Sequence, residues 1–165
     1  RKVLLDEAET YEYIAQPEIV GPAKVREQLS SIQDFHPGSL FGRLQKDFED
    51  IMNYKISELS ASPFSTKLSF DDRSLQLYQP GSIGITPHLD QASRINIICV
   101  FILTGTSKFA LCDDRAGTNP RYLDTSPGNV IIMRAPGFND SDFRPFHFVT
   151  DITERRIVFG LRQKR

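Results

Sequence analysis

Tryptophan is absent from the 165 residues, cysteine and methionine occur twice each, and histidine occurs three times. Two cysteines cannot build a disulfide framework, which points to a reducing, cytoplasmic setting. Neither sign of charge is in excess: 20 Lys and Arg stand against 21 Asp and Glu, a net charge of -1. That balance argues against a protein that lives by wrapping phosphate backbones. The longest unbroken apolar run, 97–103, is far short of the ~20 residues that span a bilayer, so no membrane association is expected. No charged-then-apolar N-terminal stretch reads as a signal peptide. With so few imidazoles, any metal site or histidine-based catalysis must draw on His36, His88 and His147.

What the chain does contain fits one domain over 1–165, with 1–62 as helical support and 63–165 as a β core. Pro22 after Gly21 resembles a first helical turn, and Val25, Leu29 and Ile32 follow at helical spacing until Pro37. A second helix is predicted over about 43–59, with Leu44, Phe48, Ile51, Met52, Ile56 and Leu59 on one apolar stripe. Strand-like runs then alternate with turn signals, at 66–70, 74–79, 83–88, 95–103, 108–112, 121–123, 129–133, 145–149 and 155–162. Two helices followed by many short strands predict an α+β, mainly β fold with the N-terminal helices packed on one sheet.

The last strand is the most informative of these. Ile157, Phe159 and Leu161 point to one side, and Arg156, Val158, Gly160 and Arg162 to the other. The apolar side can receive the helices. The other carries two arginines, which are costly to bury unless paired and so belong in a cavity that holds carboxylate. A solvated edge strand is the competing explanation on this strand alone.

His88-Leu89-Asp90 closes a predicted strand, where residues i and i+2 share a face and can reach one ion. His147 follows 59 positions later on another predicted strand. Two histidines and one carboxylate form the facial triad of non-haem Fe(II) oxygenases, which leaves coordination positions open for substrate and O₂. Zinc accepts the same ligands, but a zinc hydrolase also needs a general base, and no His-Glu-x-x-His helix is present to supply one.

With these residues the chain resembles the Fe(II)/2-oxoglutarate-dependent dioxygenases, over about 74–165. His88, Asp90 and His147 match that family's H-x-D…H iron ligands. Arg156, nine residues after His147, matches the arginine that binds the distal carboxylate of 2-oxoglutarate. The resemblance implies a double-stranded β-helix, a jelly-roll or cupin-like barrel with the site in its mouth. It also implies Fe(II) as metal, 2-oxoglutarate as co-substrate and O₂ as oxidant. Tyr78-Gln79-Pro80-Gly81 and the arginines Arg156 and Arg162 look like strings of the AlkB-type branch. Ala92 and Val158 stand where that branch has an acidic residue and an asparagine, and the spacing from His147 to Arg156 is shorter.

The expected reaction is therefore hydroxylation of a small organic substrate, with release of succinate and CO₂. Asp90 as a ligand favours oxygenation over halogenation, since this family's halogenases lack that carboxylate. An AlkB-like oxidative demethylase of alkylated nucleic acid is the alternative, disfavoured by the charge balance. A metal-containing barrel that only binds or senses is the non-enzyme alternative. Arg156 and Tyr78 are the expected co-substrate contacts, with Arg162 and Gln76 in support. Arg94 and Asn96 follow the motif Asp on one strand face and are candidate substrate contacts. The stretch 135–146, with Phe138 and Arg144, leads into His147 as a candidate lid or substrate wall. His36 is expected at the surface, and Cys99 and Cys112 as buried small hydrophobes.

Overall fold

The computed structural model describes residues 1–165. In chain order the elements are α1 (Lys2–Ala8), β1 (Ile14–Ala15), β2 (Ile19–Val20), β3 (Val25–Arg26), β4 (Ser30–Ile32), α2 (Leu40–Ser57), β5 (Asp72–Tyr78), β6 (Ile85–His88), β7 (Arg94–Thr104), β8 (Lys108–Cys112), β9 (Arg121–Leu123), β10 (Val130–Arg134), β11 (Phe146–Thr150) and β12 (Arg156–Lys164). The chain is mainly β, with two helices and antiparallel pairing throughout. One sheet has six strands in the order β1-β4-β5-β12-β7-β10, and a second has four in the order β6-β11-β8-β9. They remain separate hydrogen-bonded sheets, so the expected barrel is not closed.

Alternation along β12 organises the interior. Ile157, Phe159 and Leu161 are fully buried among Phe41, Leu68, Phe70, Leu75 and Cys99, on the side where both helices lie. Phe41 and Phe159 meet with ring centroids 4.9 Å apart. Val158 faces the opposite way, with Ile98, Ile102 and Met133 of its own sheet and Ile85, Phe109 and Val149 of the other. The helices therefore cover one face of the six-stranded sheet and the second sheet covers the other.

Helix α2 starts at Ser39, whose hydroxyl accepts the Phe41 N–H at 3.0 Å. This is a side-chain N-cap that satisfies one of the orphan donors of the first turn. Glu7 of α1 reinforces that turn by accepting the Leu40 N–H at 2.8 Å and the Ser39 hydroxyl at 2.7 Å. Phe41, Leu44, Phe48 and Met52 form the packed stripe, whereas Ile51 and Leu59 are exposed and drop out of the predicted one.

Two expected elements are absent. The helix predicted after Pro22 is replaced by the hairpin β2–β3 and by β4. Val25, Glu27, Leu29, Ser31 and Gln33 all line one cavity, a spacing of two rather than 3.6. Polar residues on that inward face hide the strand pattern, because the surface they line is itself polar. The strand predicted at 66–70 is extended chain without a ladder. Its backbone bonds run instead to side chains of α2, with Asn53 serving both the N–H and the carbonyl of Leu68 and Glu49 accepting the Phe70 N–H.

Candidate metal centre and adjoining cavities

The register of the four-stranded sheet builds the site. Strand β11 pairs antiparallel with β6 so that His147 stands directly opposite His88. Asp90 follows two residues beyond the end of β6. The ligand atoms of His88, Asp90 and His147 all lie within 4.8 Å of one another. The two imidazole centroids are 4.2 Å apart, and His147 stacks on Phe109 at 5.6 Å.

Hydrogen bonds orient each ligand. The Nδ1 of His88 lies 2.9 Å from the Thr86 carbonyl, and that of His147 lies 3.1 Å from the Pro145 carbonyl. A carbonyl can only accept, so each Nδ1 carries the proton and each Nε2 presents its lone pair, the tautomer a metal requires. Asp90 turns Oδ2 toward His147 Nε2 at 3.4 Å and Oδ1 toward Arg162 Nε at 3.8 Å. Thr86 is itself held from the N-terminal segment, since its hydroxyl accepts the Arg26 N–H at 3.0 Å and donates to the Arg26 carbonyl at 3.2 Å.

The electrostatics keep these donors in metal-binding form. Burial, followed by the neighbouring His147, depresses the His88 imidazole to about 4, so it is neutral at ordinary pH. Burial pushes the Asp90 carboxyl up, but its neighbours, Arg162 foremost, together outweigh it and hold it below its usual value. The donor set is thus the neutral His88 imidazole, the His147 imidazole and one carboxylate, a combination that suits Fe(II) with open positions.

Beside this centre lies a cavity of ≈ 430 Å³ between the sheets, walled by Tyr78, Gln76, Arg156, Arg162 and Arg94 and by the N-terminal strands. Arg156 is 1% exposed, and none of its three guanidinium nitrogens has a hydrogen-bond partner. The Tyr78 ring lies 5.1 Å from the guanidinium carbon. Burial lowers the Arg156 pKa while Tyr78 partly opposes the change. A buried cation with no anion is costly, so a carboxylate guest fits here. Burial pushes the Tyr78 phenol up to about 12, which leaves it an O–H donor, now bonded to Gln76 Oε1 at 3.0 Å. Arg162 folds back over Gly160, where an added Cβ would lie 2.9 Å from its Nη1. Glycine at that position gives the second arginine room to reach Asp90.

The remaining candidates separate. Arg94 lines the cavity but is committed to Asp72, Nε to Oδ2 at 2.6 Å and Nη2 to Oδ2 at 2.5 Å. Asn96 is fully buried, and its amide bonds to Thr66, Ser65 and Gln163. It sits where the register of β7 against β12 slips, between the pairs Arg162↔Ile98 and Gln163↔Ile95. That bulge breaks the alternation from which a substrate-facing Asn96 was expected, and the residue pins the local backbone instead. Phe138 packs on Phe64 and stands apart from this cavity. Arg144 donates to the Asp90 carbonyl at 2.7 Å. His36 stacks on Tyr11, 4.6 Å away, at an exposed position. Cys99 and Cys112 are buried and free. Sequence reasoning missed Glu27, Ser31 and Gln33 as cavity wall, for which the period-two spacing was the available signal. Burial raises the Glu27 carboxyl above its usual value.

Neither helix is long and apolar enough to cross a membrane. No protein-family model and no curated protein matches the sequence. Solved structures do match it. OsALKBH1 superposes with a TM-score of 0.65 at 14% identity, over 98% of this chain and 91% of that one. A prolyl-4-hydroxylase from Pseudomonas putida gives 0.56 at 12% identity, over 99% and 98%. An oxidoreductase of the 2OG-Fe(II) oxygenase family from Burkholderia pseudomallei gives 0.56 at 15% identity, over 98% and 76%. The chain thus has the fold of the Fe(II)/2-oxoglutarate oxygenases, the superfamily its H-x-D…H motif resembles, with an AlkB homologue among its structural neighbours.

Proposed function

We propose that the protein is an Fe(II)/2-oxoglutarate-dependent oxygenase that hydroxylates a small organic substrate. The observation that carries this reading is the unpaired, buried Arg156 guanidinium in the cavity beside His88, Asp90 and His147. A purely structural metal site has no use for such a cation, which argues against a non-enzymatic barrel. In this reading the strands β5 to β12, which pass back and forth between the two sheets, form the double-stranded β-helix.

His88 Nε2, His147 Nε2 and one Asp90 oxygen would hold Fe(II). Arg156 would take the distal carboxylate of 2-oxoglutarate through paired N–H donors, an arrangement a planar guanidinium supplies better than an ammonium. The Tyr78 hydroxyl, released from Gln76, would add a third donor. Iron bound there supplies oxidation by O₂, coupled to decarboxylation of 2-oxoglutarate to succinate. The protein's share is to keep three positions open, anchor the co-substrate and exclude water between the sheets.

The test is calorimetric titration of 2-oxoglutarate into the Mn(II)-loaded protein, followed by assay of succinate with Fe(II) and O₂. Binding that disappears in Arg156→Met supports the assignment. Metal binding without 2-oxoglutarate binding overturns it. Oxidative demethylation of nucleic acid is the second reading, favoured because Tyr78 and Arg162 line the same cavity as Arg156. Succinate release stimulated by a methylated oligonucleotide, and not by small acids, would select it.

A further inference from the structure

A second depression lies along the seam where β9 and β10, the outer strands of the two sheets, leave the fold open. It is a trough of ≈ 690 Å³ with nine hydrophobic residues among its 14. The segment before β11 forms one side, contributing Phe138, Phe143, Arg144, Pro145 and Phe146. Phe143 is 54% exposed and Ile132 of β10 is 49% exposed. These are large apolar side chains left uncovered at a concave surface.

Positive charge predominates on this trough. Arg121, Arg134 and Arg144 all line it, and none of them has a carboxylate partner. Its one acid, Asp113, is occupied by the Asn119 amide at 2.8 Å. Two of the arginines are held by neutral groups instead. Arg134 donates to the Ser141 hydroxyl at 3.0 Å and lies over the Phe143 ring at 4.6 Å, and Arg144 donates to the Asp90 carbonyl. Held in this way, the cations keep N–H donors free for an anion.

The trough also adjoins the metal centre. A crevice of only ≈ 10 Å³ runs between them, walled by Asp90 and His147 on one side and by Arg134 and Arg144 on the other. That volume holds about one water. Arg134 and Arg144 line both trough and crevice, and Arg144 is bonded to the backbone carbonyl of Asp90.

We infer that the trough is the substrate site, and that the substrate is an organic acid. Its apolar or aromatic body would lie against Phe143, Phe146 and Ile132, and its carboxylate or phosphate would be held by Arg134 and Arg121. The inference rests on the oxygenase reading for the word substrate, but the binding it requires does not depend on metal. It assigns the two sides of the metal to different anions, the co-substrate to Arg156 and the substrate to the seam. Apolar lining with a few convergent charges is the composition of small-molecule sites.

The test uses three probes of one shape, 1-naphthoate, 1-naphthyl phosphate and neutral 1-naphthamide, titrated into the protein with and without saturating 2-oxoglutarate. At least one acid should bind about tenfold more tightly than the amide, because charge-assisted bonds are the stronger ones. The better of the two acids distinguishes a carboxylate from a phosphate substrate. Arg134→Gln and Arg121→Gln, both at exposed positions, should each weaken the acid severalfold and leave the amide and the melting temperature unchanged. Phe143→Ala should weaken acid and amide alike. Equal affinity for acid and amide would overturn the inference. So would acid binding that 2-oxoglutarate displaces and Arg134→Gln does not alter, since the acid would then sit at Arg156. A single-stranded oligonucleotide bound more tightly than either acid would assign the surface to nucleic acid and equally defeat it. Failure of 2-oxoglutarate to bind, with the naphthyl acids still bound at the seam, would break the oxygenase reading alone.

Discussion

The two faces of the six-stranded sheet are built from alternate residues of the same strands, yet they do opposite work. On the helix side, Ile157, Phe159 and Leu161 join a cluster whose buried members are all hydrophobic. On the cavity side, the intervening positions carry Arg156 and Arg162, with Tyr78 and Asp72 opposite them on β5. One face spends its burial on stability, at roughly 25 cal/mol per Å² of apolar surface removed from water. The other face buries a cation with no partner, an arrangement that weakens the fold and prepares it for a ligand. The difference predicts that stability and function separate cleanly by residue parity along β12.

The largest effect should come from the helix side. Phe159→Ala removes a fully buried ring that touches Phe41 and Phe35. It should cost about 3–5 kcal/mol in chemical denaturation. If the same variant, still folded, lost 2-oxoglutarate affinity to the same extent as stability, the separation of faces would fail.

Next in size is the metal centre. Asp90→Ala should weaken Mn(II) binding at least ~100-fold by calorimetry, since it deletes one of three protein ligands. The apo protein's melting temperature should move little by comparison.

Acid should act through the same site in the metal-free protein. The folded state holds His88 neutral down to about 4, against 6.5 for the free side chain, so between these values the unfolded chain binds the extra proton. Stability is therefore intact above pH 6.5 and falls as pH drops toward 4, by on the order of 3 kcal/mol. The Asp90 carboxyl, held low, adds a further loss only at still lower pH. Denaturant melts against pH should show this slope, and His88→Gln should flatten it.

Arg156→Met gives a smaller effect of opposite sign. Removing the unpaired cation should stabilise the protein by about 1–2 kcal/mol in denaturant melts while abolishing 2-oxoglutarate binding. A destabilised variant would show that Arg156 has a structural partner after all. The smallest change is Ser39→Ala at the start of α2, expected to cost about 1 kcal/mol in melting and to leave metal and co-substrate affinity unchanged.

Much of this was legible in the chain. Strands β8 and β9 lie where alternation and turn residues place them, and the parity of β12 is legible in seven consecutive residues, 156–162. The His-x-Asp pair and the distant His147 do converge. The failures share a cause. Strand β4 and its flanks carry helical spacing of apolar residues because their inward face is Glu27, Leu29, Ser31 and Gln33, a polar wall that hides a period of two. The segment 66–70 has strand-like alternation, with Leu68 and Phe70 buried, but its ladder partners are side chains of α2. Asn96 was misplaced because a bulge, invisible in sequence, shifts the register beside it.

By itself, the sequence determined which residues could meet a metal, because only three histidines exist and the i, i+2 geometry of a strand couples His88 to Asp90. It also determined that β12 would carry cations on one face and core on the other. Tertiary structure alone decided that Arg156 would be buried without an anion, since partnership is a matter of distance between strands far apart in the chain. It alone placed His147 opposite His88, through the antiparallel register of β11 and β6. The open seam with its three unpaired arginines was likewise decided in three dimensions, because β9, β10 and the segment before β11 meet only when the two sheets pack.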